Sequence, residues 1–196
     1  MPSRRPSSAA FSLVELLIVI AVMGIVAALT LPSVNSGIHE QLQSTADAIA
    51  GDLAYARGLA VANNSTYRFS FDLANNQFTL RYSGANPSLA TLPPNPFQAG
   101  SNTDPTQYVI RLNDMPSLGG KVQLAAVGTM GNRPASTTTL EFGPLGGTTS
   151  ADSTVIWLSS GAGAAQRFIS VSVNPVTGLA GVNPFGASGP PASVLQ

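Results

Sequence analysis

The chain has 196 residues, with nine basic and nine acidic side chains and no cysteine. Only 9% of its residues are charged, far below the quarter typical of soluble proteins, which argues against an average cytoplasmic enzyme. Without cysteine, a disulfide, a thiol nucleophile and a thiolate metal site are all excluded. Zero net charge with a single lysine, Lys121, argues against binding to nucleic acid through its phosphates.

The first predicted element is an apolar run of 21 residues, 11–31, in which Glu15 is the only charge. As a helix it would measure about 31 Å, close to the roughly 30 Å of a bilayer's hydrocarbon core. Arg4 and Arg5 precede it, which predicts a cytoplasmic N-terminus with the rest of the chain outside. A cleaved secretory signal fits less well because its apolar region is usually ~7–15 residues. An uncleaved signal anchor is the simplest interpretation.

A signal anchor does not explain Glu15, because an ionisable group within a membrane span costs about 2.5–3.5 kcal/mol and usually marks a function. The segment AFSLVEL, residues 10–16, resembles the leader-cleavage signal of type IV pilins and type II secretion pseudopilins. The resemblance implies that a prepilin peptidase/methyltransferase cuts between Ala10 and Phe11, removes the leader 1–10 and methylates the new Phe11 amine.

The same resemblance gives Glu15 a role in filament assembly, because the family pairs this carboxylate with the N-terminal amine of a neighbouring subunit. A carboxylate without its amine is penalised, so the pair would also fix the stagger between helices. Pro32 falls where many pilins bend their helix, and proline interrupts the backbone hydrogen bonds there. Ala10 is a departure, since the family usually has glycine before the cut.

Beyond Pro32, apolar residues recur every three or four positions from Ile38 to Ala60 and predict one face of a helix. Asn63 and Asn64 supply a stop signal. The sequence therefore predicts one long helix over 11–62, whose first part is the membrane-spanning segment 11–31. The stripe is typical of core packing.

The remainder is predicted to be β-structure over 63–182. The segments TYRFSFD and QFTLRYS alternate and are joined by LANN, which predicts a hairpin. Further strands are predicted at 108–112, 121–127, 137–142, 154–158 and 167–173. Short strands at this spacing favour an antiparallel β-sandwich head packed on the helix, in an α+β fold. A proline-rich exposed loop is predicted over 84–106, and the tail 183–196 has no pattern that predicts burial, so it is expected to be flexible.

Three more stretches resemble the GspH/FimT group of minor pseudopilins and pilins: DLAYARGLAVANN at 52–64, LEFGPLGGTT at 140–149 and RFISVSVNPVTGLAG at 167–181. Leu179 stands where that group often has arginine in its last hairpin. Arg57 is predicted to be a structural ion pair or loop anchor rather than a binding residue.

No pattern favours catalysis or a cofactor. His39 is the only histidine, so neither a metal pair nor a Ser-His-Asp triad is indicated. GPLGGTT lacks the Gly-Lys-Ser/Thr ending of a phosphate loop. No calcium-loop pattern is formed by the acidic residues Asp104, Asp114, Glu141 and Asp152. Because the resemblance implies that a major pseudopilin binds calcium near its C-terminus, this counts against that subunit. The sequence therefore predicts a protein that is not an enzyme and needs no metal.

The leading functional hypothesis is a minor pseudopilin of the type II protein secretion system, at or near the tip of the periplasmic pseudopilus. Its expected partners are other minor and major pseudopilins, the prepilin peptidase/methyltransferase, the inner membrane and, as a further candidate, secreted cargo. One alternative is a FimT-like minor pilin of a type IV pilus that serves pilus assembly or DNA uptake. The absence of basic residues after Arg167 argues against nucleic acid. The other alternative is a signal-anchored periplasmic binding module without a filament.

Overall fold

The computed structural model describes residues 12–30, 36–93, 104–114 and 122–195. Two compact units are distinguished, Met1–Gly37 and Ile38–Gln196. The predicted helix 11–62 is found as α1, Leu13–Thr30, and α2, Ser36–Ala62. Pro32, the predicted kink, lies outside the described residues, as do Ala10 and Phe11. Among the described residues, no helix is both long and apolar enough to cross a membrane.

The predicted apolar face of α2 is confirmed. Ile38 is partly buried, and the later members of the stripe are almost completely buried. This face packs against side chains of both β-sheets in one core, because a helix with a single apolar stripe must cover that stripe with another layer. The buried positions of the stripe are Leu42, Thr45, Ala46, Ile49, Leu53, Ala56 and Ala60, and Asp52 is also buried on α2.

Two antiparallel sheets form the rest of the second unit. Their strands are β1 Tyr67–Asp72, β2 Gln77–Tyr82, β3 Gln107–Arg111, β4 Val122–Met130, β5 Ala135–Ser136, β6 Thr139–Phe142, β7 Ser153–Ser160, β8 Arg167–Val173 and β9 Ala180–Val182. The first sheet has the order β3-β2-β1-β6, and the second has the order β5-β4-β7-β8-β9. The predicted α+β class with a helix on antiparallel sheets is therefore confirmed.

The hairpin predicted around LANN is the β1–β2 pair, with Phe69 opposite Leu80. The alternation of β1 places Tyr67, Phe69 and Phe71 in the core. Most other predicted strands are found within a few residues of the expected bounds. The differences are β5 and β9, which were not predicted, and the predicted strand 137–142, of which only 139–142 forms a strand, β6.

Two predictions about exposed segments need correction. The proline-rich loop 84–106 was expected to be exposed, yet Leu92 is 5% exposed and its backbone N–H donates to the Pro105 carbonyl oxygen at 2.8 Å. We also correct the expectation that nothing in 183–196 packs. Phe185 contacts the main core, and Val194 is 3% exposed. Their positions in a Gly- and Pro-rich segment gave no periodic signal of burial.

Candidate functional site

The start of α1 holds the one charged residue of the apolar N-terminal segment. The backbone N–H of Val14 donates to the Ser12 side-chain oxygen at 3.3 Å, so Ser12 caps the helix. Glu15 then occupies the third helical position, and the Ser12–Glu15 spacing is that of a capping box. A carboxylate in the first turn is also favoured by the helix dipole. The capping role of Ser12 was not predicted, although the S-x-x-E spacing is visible in the sequence.

Glu15 lies among apolar side chains that are exposed in the described part of the chain. Every residue from Ser12 to Ile25 is exposed, and Leu13 is 79% exposed. Within the described chain, no hydrogen bond or ion pair engages the Glu15 carboxylate. Ala10 and Phe11, which the sequence places with Glu15 in one processing and assembly site, lie outside the described residues. An apolar helix with one lone carboxylate needs contacts from other molecules to become buried.

A second candidate region lies where α2 meets two loops of the head. One loop follows β6 and contains Gly146, and the other joins β8 to β9 and contains Thr177. The Arg57 Nε donates to the Thr177 carbonyl oxygen at 2.8 Å and to the Gly146 carbonyl oxygen at 3.2 Å. The backbone N–H of Thr148 also donates to the Pro175 carbonyl oxygen at 2.8 Å. Arg57 is therefore a loop anchor, one of the two roles predicted for it. In the described residues no carboxylate forms an ion pair with it.

Glycines allow the two loops to touch. Gly178 has φ +64° and Gly146 has φ +84°, a left-handed conformation that L side chains rarely adopt. A Cβ on Gly178 would overlap the Gly146 carbonyl oxygen. A Cβ on Gly147 would lie 2.7 Å from the Val176 carbonyl oxygen. The glycines in GPLGG and TG therefore form a loop-to-loop junction, as opposed to a phosphate-binding loop.

Large apolar side chains project from this junction into solvent. Leu145 is 95% exposed, Val176 83%, Leu179 59% and Val61 48%. We call these four residues the junction patch. The side chain of Val61 lies beside Gly146, which joins the end of α2 to the two loops. Exposed apolar side chains grouped on rigidly tied loops are typical of surfaces that bind other proteins.

The structure adds no catalytic arrangement to the described part of the chain. There, no group of three or more His, Asp or Glu side chains could hold a metal ion. The ring of His39 packs edge-on against Phe185, with ring centroids 4.6 Å apart. Arg167 donates to the backbone oxygens of Ala164 and Gln166.

Comparison with known proteins places these features in a family. Residues 5–31 match the prokaryotic N-terminal methylation motif, and residues 45–178 match the family described as type II transport protein GspH. None of the curated proteins matches the chain significantly.

Among solved structures, two crystal forms of the type IV minor pilin FimU from Pseudomonas aeruginosa are similar. The first has 14% identity and a TM-score of 0.46, covering 74% of this chain and 90% of FimU. The second has 15% identity and a TM-score of 0.42, with coverages of 73% and 93%. Because the GspH match spans well over half of the sequence, the chain belongs to the family of GspH type II transport proteins.

Proposed function

We propose that this protein is a minor pseudopilin of the type II protein secretion system, at or near the tip of the periplasmic pseudopilus. The observation that carries the proposal is the order of two features on one chain. A methylation motif over 5–31 is followed by a GspH-type head over 45–178. The role is structural and requires no catalytic group.

The N-terminal segment supplies the assembly element in this proposal. A prepilin peptidase/methyltransferase cuts between Ala10 and Phe11 and methylates the Phe11 amine. The segment 11–31 anchors the chain in the inner membrane as a single pass, with the head in the periplasm. In the filament, Glu15 pairs with the Phe11 amine of a neighbouring subunit. The exposed apolar surface of α1 supports this role, because it can be buried only against other apolar surfaces.

The junction patch supplies the contact between the head and other minor pseudopilins. The two loops that carry three of its side chains are held together by a backbone hydrogen bond and by the Arg57 anchor. Little backbone freedom is therefore lost when a partner binds. Burial of apolar area gives roughly 25 cal/mol per Å² before the cost of association. All four side chains of the patch would therefore gain free energy from burial in a subunit interface.

Site-specific photocrosslinking in producing cells tests this proposal. A photoreactive amino acid at Leu145 or Val176 of the full chain is expected to capture other pseudopilins of the secretion filament. Ser70, which lies exposed on β1 of the first sheet, is the matched control position. Capture at Leu145 and Val176 that is no stronger than at Ser70 would contradict the assignment of the patch.

The same experiment separates the two filament types. Capture of type II secretion pseudopilins supports the proposed system. Capture of type IV pilus minor pilins would instead assign the chain to the FimT-like alternative. A DNA-uptake role would favour a basic C-terminal region. This chain has Leu179 where the resemblance leads us to expect arginine, and it has no Lys or Arg after Arg167.

A further inference from the structure

The outer face of the second sheet carries a small apolar cluster away from the main core. On β7, Ile156 and Leu158 point into the main core, while Val155 and Trp157 point to the opposite face. The register of β4 shifts between Leu124 and Ala126, which brings Ala126 to that outer face. Trp157 is 7% exposed and is the only tryptophan of the chain.

The C-terminal segment covers this cluster through one side chain. Val194 belongs to a single 3₁₀ turn, Ala192–Val194, and packs with Ala126, Val155 and Trp157. A Cβ on Gly128 would lie 2.5 Å from the Val194 Cγ1 atom, so the absence of a side chain at Gly128 makes room for Val194. The outer face is therefore shaped to receive this residue.

The covering segment is held lightly. Its backbone hydrogen bonds run from Val194 N to Pro191 O and from Leu195 N to Ala192 O, both within the segment. Between described residues, 190–195 form no backbone hydrogen bond to a strand. Leu195 is 62% exposed, and Pro191 has no N–H to donate.

An open cavity continues the covered face. It has a volume of about 490 Å³ and lies beside Val194 and Leu195. Its other walls are apolar or carry uncharged hydroxyl groups, except for one acidic side chain, Asp72, at the β1–β2 turn. Representative lining residues are Phe71, Leu73, Ala125, Ser136 and Thr138. We call the outer face that Val194 covers, together with this adjoining cavity, the groove. It suits a short uncharged apolar segment, and Val194 and Leu195 of the seated segment form part of the cavity wall.

We propose that this groove is an exchange site for the C-terminal segment, which a second copy of the chain can supply in place of the chain's own segment. An exchanged segment forms the same contacts as the original one, so the exchange costs little beyond association. Gly186 is paired with Phe168 of β8 through two backbone hydrogen bonds, and residues 187–191, ASGPP, which contain no helix or strand, connect the segment to it. The proposal concerns the head alone and does not rest on the filament role.

A labelled peptide of residues 189–196 tests the exchange on the full-length chain in detergent. We expect saturable binding, followed by fluorescence polarisation and by a change in Trp157 emission. A chain that ends at Gly189 should bind the peptide about ten-fold more tightly or better, because it lacks the tethered competitor. A peptide with Val194→Asp should not bind. Absence of binding to both chains, each shown to be folded by circular dichroism, would overturn the proposal.

The oligomeric state identifies the second copy as the source. The full-length chain should show a concentration-dependent dimer in detergent that the full-length Val194→Asp variant does not form. Gly128→Ala should also reduce this dimer, because the new Cβ would crowd the seat of Val194, whereas Gly181→Ala in β9 is the matched control with open space. Peptide binding without a dimer at any concentration would contradict exchange between copies.

Discussion

Asn76 connects the first sheet to the second. It lies in the β1–β2 turn with φ +52° and is buried. Its Nδ2 donates to the Val122 carbonyl oxygen at 2.9 Å, and its Oδ1 accepts from the Leu124 backbone N–H at 2.8 Å. The side chain thus pairs with β4 as a neighbouring strand would. The turn signal LANN predicted the hairpin, but this long-range pairing has no local signature.

We expect Asn76→Ala to destabilise the head by about 3 kcal/mol. The change leaves the Leu124 N–H and the Val122 carbonyl buried without partners, and it places alanine in a left-handed conformation. Denaturant unfolding followed by Trp157 fluorescence would measure the loss. Asn64→Ala is the matched control, because Asn64 also has a positive φ, +46°, but is exposed. An equal effect of both substitutions would refute the pairing role.

Gly178 sets the approach of the two loops at the junction patch. We expect Gly178→Ala to destabilise the head by about 2 kcal/mol or more, because the methyl group would overlap the Gly146 carbonyl oxygen in addition to the left-handed strain. Gly163→Ala carries the same kind of strain, with φ +55°, but has open space around it. It should cost only about 1–2 kcal/mol. Thermal unfolding of the two variants gives the comparison, and a smaller loss in Gly178→Ala would contradict the proposed contact.

The strands and α2 were largely predictable because their apolar periods are local. The alternation of β1 and the three- and four-residue spacing of α2 each fix one buried face. The full length of β4 was harder to predict, because the register shift after Leu124 breaks the alternation of buried and exposed residues. β9, Ala180–Val182, is three residues long and pairs with β8 after a turn. So short a strand carries too few residues to show a period.

The candidate sites were predictable only where a motif is contiguous. AFSLVEL contains the predicted processing and assembly residues in one short run. By contrast, the two carbonyl oxygens that Arg57 contacts lie 89 and 120 residues further along the sequence. Their meeting depends on the packing of α2 against both sheets. The junction patch could therefore not be predicted from sequence spacing.

Glu15 lies in the first turn of α1 and is the proposed assembly residue. We predict that Glu15→Ala still reaches the membrane but enters filaments about ten-fold less or worse, because the neighbouring amine then lacks its partner. Loss of the favourable interaction between this carboxylate and the helix dipole costs only about 1 kcal/mol by itself. Filament fractions sheared from cells would be compared by immunoblotting with those of Val22→Ala, which changes the same helix without removing a charge. Normal incorporation of Glu15→Ala would remove its assembly role.

The molecule as a whole combines an apolar helix with a weakly charged head. The second unit, Ile38–Gln196, contains the main core, to which α2 and both sheets contribute. Its few charges are partly used within the structure, as in the Arg68–Glu141 ion pair between β1 and β6. The head therefore offers little long-range electrostatic attraction. In the proposed assembly, short-range apolar contacts at α1 and at the junction patch supply the recognition.

The N-terminus of the protein in its native membranes tests the central claim most directly. Mass spectrometry of the purified full-length protein is expected to find a mature chain that begins at Phe11 and carries one methyl group on its α-amine. That product requires a prepilin peptidase/methyltransferase and commits the chain to the filament pathway. Material that retains Met1 to Ala10 throughout, with no processed form, would instead support a signal-anchored module and contradict the assignment to a filament.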